Sequence, residues 1–329
     1  MGYLALYRQW RPKTFAEMVG QEHVTKTFVN ALKREQIAHA YLFSGPRGTG
    51  KTTAAKILAK ALNCQQRDGA EPCNQCPSCL SIDQGVAMEV LEIDAASNRG
   101  IDEMRDLREK VKLSAGQDRY KVYIIDEVHM LTTEAFNALL KTLEEPPPKV
   151  VFILATTEAH KIPPTILSRV QRFEFHRIRQ EDIQTRLAEV CEALKRSVEP
   201  EALAVIAMKA EGGLRDALSI LDQCLILDDD LDVAQVYQVL GMVGETYSAD
   251  LADALLTGDY ARVLEILEEG VRLGCDPRQI MLELLEYLRQ MLLSLTSGRP
   301  PQVEPGLRER VIQQGKQAGI SRLLGWLDV

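Results

Sequence analysis

Eight consecutive residues, Gly45-Pro46-Arg47-Gly48-Thr49-Gly50-Lys51-Thr52, constrain this chain more than any others. They fit G-x-x-x-x-G-K-[ST], the spacing of a loop whose backbone N–H groups surround phosphates. The context agrees, because Ala40-Tyr41-Leu42-Phe43-Ser44 reads as a short buried strand and Thr52 to Leu62 has the apolar spacing of a helix. Strand, glycine loop and helix N-terminus together make an anion site, since the first amides of a helix carry partial positive charge. In such a site Lys51 reaches the outer phosphates of a nucleotide and Thr52 holds Mg²⁺.

A second stretch complements the first. Lys121-Val122-Tyr123-Ile124-Ile125-Asp126-Glu127 is an apolar strand ending in two carboxylates, the pattern of a Walker B element. Asp126 can accept Mg²⁺ through water and Glu127 can polarise an attacking water. Thr156-Thr157 follows a further core strand, Val150 to Ala155. A hydroxyl there either orients the water and reads the γ-phosphate or simply caps the strand. Near the N-terminus, Tyr7-Arg8-Gln9-Trp10-Arg11-Pro12-Lys13-Thr14-Phe15 mixes aromatic and basic groups before Val19-Gly20-Gln21-Glu22 and a helix from His23 to about Glu35. It fits either a tethered arm with solvated charges or a contact to the base and phosphates of the nucleotide.

Between these two motifs lie Cys64, Cys73, Cys76 and Cys79, spaced C-x8-C-x2-C-x2-C. Two-residue gaps let neighbouring thiolates converge on one ion, and four thiolates complete a tetrahedral Zn²⁺ shell. The polar, Pro- and Gly-containing surroundings cannot build a core, so a metal would hold the excursion together. A compact ferredoxin run would want a cysteine at position 83, where Asp83 stands instead. With no general base or open ligand position apparent, the zinc reads as structural.

The 329 residues suggest two or three domains, and a charged fraction of 26% with 46% hydrophobic residues is that of an ordinary soluble protein. No apolar run approaches membrane-spanning length, and Met1 to Trp10 does not read as a signal peptide, so the expected compartment is the cytoplasm. The net charge of −8 argues against a generic nucleic-acid coat. It is uneven, however. Residues 1–60 hold ten Lys/Arg against three Asp/Glu, while the remainder holds 29 against 44. Basic character gathers where phosphates are expected, and an acidic total leaves room for a basic concave DNA surface. Arg99 and Arg105 flank the start of a helix expected from Ile101 to Leu113. They fit a solvated face or a grip on a phosphate backbone equally well.

The second half reads as helical. A helix from Leu131 to Glu145 is stopped by Pro146-Pro147-Pro148. Ile166-Leu167-Ser168-Arg169 closes a short helix before a strand from Arg172 to Phe175. From Glu181 onward Ile183, Leu187, Val190, Cys191 and Leu194 share a helical face. Gly212-Gly213-Leu214-Arg215-Asp216-Ala217-Leu218 opens another helix, and Met281, Leu284, Leu285, Leu288, Leu292 and Leu295 form an apolar stripe expected to face a core. Cys191, Cys224 and Cys275 show no ligand spacing and read as ordinary thiols.

Taken together these residues closely resemble one family, the AAA+ gamma/tau ATPase subunits of the bacterial DNA polymerase III clamp loader. The carriers are Tyr7 to Gln21, His39 to Gly45, the four cysteines, Glu92-Ile93-Asp94-Ala95-Ala96-Ser97, Asp126 to Leu131, Asn137 to Pro147, Ala155-Thr156-Thr157, Ile166 to Arg169 and Leu214 to Leu218. The P-loop alone is generic, whereas a cysteine module between the P-loop helix and the second strand is far more specific. The resemblance implies an α/β AAA+ P-loop domain at 1–178, a parallel sheet with flanking helices and a zinc-binding insertion at 64–79. An all-helical lid at 179–241 and an all-helical collar domain at 242–329 would follow. It implies ATP, Mg²⁺ and Zn²⁺ as cofactors and a nucleotide site built from residues 45–52 with Tyr7, Arg11 and Val19. Thr157 would be sensor 1, Arg215 sensor 2, and Arg169 the arginine finger of a Ser-Arg-Cys motif in which Val170 here replaces the cysteine. Implied partners are other clamp-loader subunits in a hetero-oligomeric ring with several copies of this chain possible, the sliding clamp and primer-template DNA, with no membrane. Two alternatives stand beside it: a non-catalytic sister subunit, against which intact Lys51, Thr52, Asp126 and Glu127 argue, and another AAA+ DNA motor such as a branch-migration ATPase, against which the cysteine insertion and Ser168-Arg169 argue.

Overall fold

The computed structural model describes residues 3–98, 100, 104, 106, 107, 109, 111, 119–227, 230–242, 244–272, 274–303 and 305–328. Its centre is a five-stranded sheet of β1 (Ala40–Ser44), β2 (Val90–Asp94), β3 (Lys121–Asp126), β4 (Val150–Thr156) and β5 (Gln171–Glu174). The order is β2-β3-β4-β1-β5 and every pairing is parallel. Parallel sheets are covered on both faces, so their strands carry apolar side chains at odd and even positions alike. That is the case here. Tyr41, Phe43, Val122, Ile124, Val151 and Ile153 pack on one face with Phe28, Ile57 and Leu58. Leu42, Tyr123, Ile125, Phe152 and Leu154 pack on the other with Met104, Phe136, Leu139 and Ile166. β4 is buried at every position, as befits the middle strand.

Four helices surround the early part of the chain: α1 (Leu6–Gln9), α2 (Glu22–Lys33), α3 (Lys51–Asn63) and α4 (Pro77–Asp83). α3 issues directly from the glycine loop, and its Ala54, Ala55, Ile57, Leu58 and Ala61 are buried against the sheet. The helix after β3 starts later than the expected Leu131. Val128–Met130 form one 3-10 turn, Leu131 is extended, and Thr132 caps the helix Thr133–Glu144 by accepting from the Ala135 amide. A hydroxyl at the N-cap outweighs an apolar periodicity that runs on past it.

The chain forms two compact units, Met1–Asp222 and Gln223–Val329. Beyond the sheet, the first unit contains the helices Gln180–Leu194 and Pro200–Lys209 and the start of Leu214–Leu227, which lie in the segment expected to form the lid. Ile183, Leu187, Val190 and Cys191 are buried there as expected, with Leu194 at the margin. The second unit is helical, with helices Val233–Leu240, Glu245–Thr257, Tyr260–Arg272, Pro277–Ser297, Arg308–Ala318 and Ile320–Leu327. One expectation fails here. Met281 is 46% exposed, and the buried face of Pro277–Ser297 is Ile280, Leu284, Tyr287, Leu288 and Met291. Packing neighbours rotate the buried arc toward Tyr287, whose hydroxyl donates to Gln314 Oε1 over 2.6 Å. Buried Gln314 in turn donates to the Ala249 carbonyl and the Asp253 carboxylate, so this polar pair is fully satisfied. Among the described residues no helix is long and apolar enough to cross a membrane.

Candidate active site and metal centre

The register of the sheet brings the sequence motifs to one edge. Asp94 pairs with Asp126 and Ser44 pairs with Thr156, so the carboxyl ends of β1, β2, β3 and β4 lie side by side. Ligands of open parallel sheets bind at this edge. Gly45 leaves β1 with φ +145, and a Cβ there would stand 2.2 Å from the Phe175 carbonyl oxygen. Only glycine lets the loop turn this close to β5.

Within the loop, Lys51 is 7% exposed and its Nζ donates to the carbonyls of Gly45 (2.8 Å) and Pro46 (2.7 Å). Burial pushes the Lys51 ammonium below its usual pKa, opposed by the nearby Glu127 and Asp126 carboxylates. Thr49, also buried, donates to Pro46 O. Thr52 Oγ1 donates to Asp126 Oδ2 over 2.7 Å, and Asp126 Oδ1 accepts from the Glu127 amide over 2.9 Å. Glu127 adopts a left-handed conformation, φ 47 and ψ 44, which is costly for a side-chain-bearing residue and clusters at functional sites. Its Oε2 accepts from Thr157, from Oγ1 at 3.0 Å and from the amide at 3.3 Å. Sequence reading did not single out His129. Its Nδ1 lies 3.0 Å from Thr156 Oγ1 and 3.4 Å from Glu127 Oε2, and its Nε2 lies 3.1 Å from Glu158. Thr156 and Thr157 thus part company, the first facing His129 and the second facing Glu127.

The aromatic-basic arm and the lid meet beside this loop. Arg215 lies over the Tyr7 ring, 4.9 Å from its centroid, and the Leu6 amide donates to Asp222. Arg11 Nε donates to Thr53 Oγ1 over 3.0 Å, which ties the arm to the P-loop helix. Val19 is half-buried, while neighbouring Met18 approaches Gly50. Gly48 and the lid's Gly213 come together so closely that a Cβ on Gly48 would stand 3.0 Å from Gly213 Cα. Arg47 contributes its carbonyl near Gly213, and the residue is exposed.

Arg169 lies apart from this group. Its described partners are Glu144, Thr165 and Ser168. Val170, in the place of the expected cysteine, is half-buried against the core, a position that suits either small apolar side chain. Arg99 and Arg105 lie outside the described residues.

The four cysteines converge. The Sγ atoms of Cys64, Cys73, Cys76 and Cys79 all lie within 4.8 Å of one another. Cys64 Sγ accepts from the Cys73 amide and Cys73 Sγ from the Cys76 amide, each at 3.3 Å. Asn74, at φ 57, turns the chain between them. Burial opposes ionisation of Cys76, yet the amides of Cys79 and Gln65 and the adjacent thiols bring it down to about 6. Burial raises Cys64 and Cys79. Four soft sulfurs on a short cap-and-turn framework fit a closed tetrahedral site for Zn²⁺. The P-loop helix supports it, because buried Lys60 reaches across to Asn74 Oδ1 (2.7 Å) and Asp83 (3.0 Å). Cys191, Cys224 and Cys275 are buried free thiols, as expected.

Three segments match known families in succession. Residues 20–179 match "DNA polymerase III, delta subunit", 182–228 match "DNA polymerase III clamp loader subunit, ATPase lid domain", and 231–321 match "DNA polymerase III subunits gamma and tau domain III". The gamma subunit of DNA polymerase III from Buchnera aphidicola is 41% identical over 88% of this chain and 80% of its own length. The chain belongs to the DNA polymerase III gamma/tau family. Other members of the family are longer. The tau subunit of Bacillus subtilis is 51% identical over 96% of the chain but only 55% of that protein, and the Escherichia coli tau subunit is 42% identical over 89% of the chain and 46% of that protein. The chain therefore spans about half the length of these two relatives. Among solved structures, the Thermotoga maritima RuvB Holliday junction branch migration motor superposes with a TM-score of 0.52 and 16% identity, covering 83% of this chain and 91% of that one. At that identity the likeness concerns the fold, an AAA+ domain with a helical lid.

Proposed function

We propose that this chain is the ATP-hydrolysing subunit of a bacterial clamp loader, in which ATP binding and hydrolysis drive the opening and loading of a sliding clamp onto primed DNA. The observation that carries this reading is the Thr52–Asp126 hydrogen bond beside buried Lys51, with Glu127 fixed next to it by Thr157. A Mg²⁺ ion held by a P-loop hydroxyl and a strand-end aspartate bridges and neutralises the outer phosphates of a nucleotide. The loop amides of 45–52 and Lys51 would hold those phosphates. Tyr7, Arg11 and Val19 would border the rest of the nucleotide, and Arg215 would reach it from the lid. Glu127 would orient and polarise water, with Thr157 holding its carboxylate and sensing the outer phosphate. Arg169 would act in trans, on the nucleotide of a neighbouring copy, so that turnover depends on assembly.

The domain division that goes with this reading is an AAA+ domain at 1–178, a lid at 179–241 and a collar at 242–329 that joins subunits. The four cysteines would hold one structural Zn²⁺. Arg99 and Arg105 would meet DNA phosphates, and the partners would be other clamp-loader subunits, the clamp and primer-template DNA in the cytoplasm. The match of residues 20–179 to a family described by the delta subunit makes a non-catalytic sister subunit the second reading. Sister subunits of that kind typically have degraded P-loops, and the intact Lys51, Thr52, Asp126 and Glu127 weigh against it. ATP turnover measured with and without primed DNA and a sliding clamp separates the two. The first reading expects turnover that both additions stimulate, and absence of turnover in a nucleotide-binding assembly supports the second.

A further inference from the structure

We infer that Glu144 is a positioning residue for Arg169, fixing its guanidinium before a neighbouring subunit arrives. The inference rests on Arg169 acting in trans. Arg169 Nη2 lies 2.7 Å from Glu144 Oε1, and Nη1 donates to the Thr165 carbonyl (2.8 Å) and to Ser168 Oγ (3.0 Å). Ser168 Oγ itself donates to Thr165 O over 3.1 Å, so its lone pairs face the arginine. Three acceptors from two elements thus define the guanidinium plane, and they engage three of its five N–H groups. The described contacts leave Nε–H and one Nη2–H for an incoming anion. Arg169 also sits on the rim of an open groove of about 680 Å³, lined by His39, Leu143, Val170 and Gln171 besides Glu144 and Ser168.

The magnitude of the pair says what it is for. The side chains of Glu144 and Arg169 are 46% and 34% exposed, and an ion pair in that setting contributes little to stability. Its value lies in geometry. A long surface arginine samples many rotamers, and fixing it in advance removes that entropy from the catalytic step. Glu144 is suited to the task because the helix that carries it is packed on the core. It ends the helix Thr133–Glu144, whose Ala135, Phe136, Leu139 and Leu143 are buried against the sheet. The same helix begins a few residues after Glu127. The residue that would handle water in one site and the residue that aims the finger at the next are therefore joined by one short 3-10 turn and one helix.

The test uses the chain assembled with its partner subunits, clamp and primed DNA. Glu144→Ala should lower kcat about tenfold while KM for ATP stays within about twofold, because misaiming a catalytic group affects the chemical step. Glu144→Gln, which keeps an acceptor oxygen, should restore most of the loss. In an Arg169→Ala background, Glu144→Ala should cause no further fall, since the two act as a unit. An equal fall in both backgrounds would mean a merely structural role and overturn the inference. So would an unchanged kcat, or a raised one, which would make Glu144 a restraint. A parallel assay mixes Arg169→Ala subunits with Lys51→Ala subunits. Recovery of hydrolysis in the mixed assembly supports the trans reading, whereas no recovery in an assembly that demonstrably forms overturns that reading and this inference with it. Recovery combined with an unaffected Glu144→Ala overturns the positioning role alone.

Discussion

Thr52 Oγ1 and Asp126 Oδ2 stand 2.7 Å apart, across 74 residues of sequence, at the point where the P-loop helix meets the end of β3. The pair is the distance at which a hydroxyl and a carboxylate can share one divalent cation. Thr52→Val and Asp126→Asn should therefore each cut ATP turnover by about 10²-fold or more, because a cation that neutralises transferring phosphate is worth several kcal/mol. Steady-state turnover across a Mg²⁺ titration checks this. Parent-like Mg²⁺ dependence in either variant would remove that residue from the cation site.

Lys51 and Glu127 should separate binding from chemistry. Lys51 meets charge present in the ground state, so Lys51→Ala should lose useful ATP affinity. Glu127→Gln should retain affinity and block turnover, since the carboxylate acts on water as the reaction proceeds. Lys51 also predicts a pH effect. Burial lowers its folded pKa, so between the folded and unfolded values the unfolded chain binds more protons, and this residue's contribution to stability grows as pH rises through that window. Bound phosphate favours the protonated form, so nucleotide affinity should fall across the same window with proton uptake. Calorimetry in buffers of different ionisation enthalpy measures that uptake, and its absence at alkaline pH contradicts the assignment.

The cysteine centre should carry one zinc per chain. Elemental analysis settles the count, and a brown iron-containing preparation would refute the zinc reading. Acid should release the metal as thiolates protonate. The excursion at 64–83 should lose protection from hydrogen exchange before nucleotide binding is affected. Lys60→Met keeps the buried stem and removes the bonds to Asn74 and Asp83, so it should weaken zinc retention against a chelator while leaving the P-loop helix folded.

Arg99 and Arg105 should contact DNA through phosphates without base preference. Replacing both with alanine should weaken DNA binding about equally across sequences and reduce the slope of log affinity against log salt by roughly two. A slope identical to the parent's would place them elsewhere.

The parts of this molecule legible in the sequence are those in which chemistry and local geometry coincide. The strand before Gly45, the helix after Lys51, the acidic end of β3 and the close cysteine pairs each carry their spacing in a few adjacent residues. Sheet order is different, because β1 lies between β4 and β5 through pairings that only long-range packing decides. Met281 misled for a related reason: a 3.6-residue stripe identifies a helix face, but the neighbouring helices select which edge of it is covered. Long-range polar partners were the other blind spot. Nothing near Lys60 in sequence announces Asp83, and nothing near Arg169 announces Glu144 or sets His129 between Glu127 and Glu158.

The meeting of Gly48 with Gly213 has a mechanical side. A joint padded by side chains has slack, because rotamers shift by fractions of an ångström as the two surfaces move. Here a methyl group at Gly48 would already stand 3.0 Å from Gly213 Cα, and one at Gly213 would stand 3.3 Å from the Arg47 carbonyl oxygen. Close-packed contacts of this kind have low compressibility and pass displacement on. A change in the loop's curvature therefore meets the start of the helix that bears Arg215 with little side-chain slack between them, and a push on that helix meets the loop in the same way.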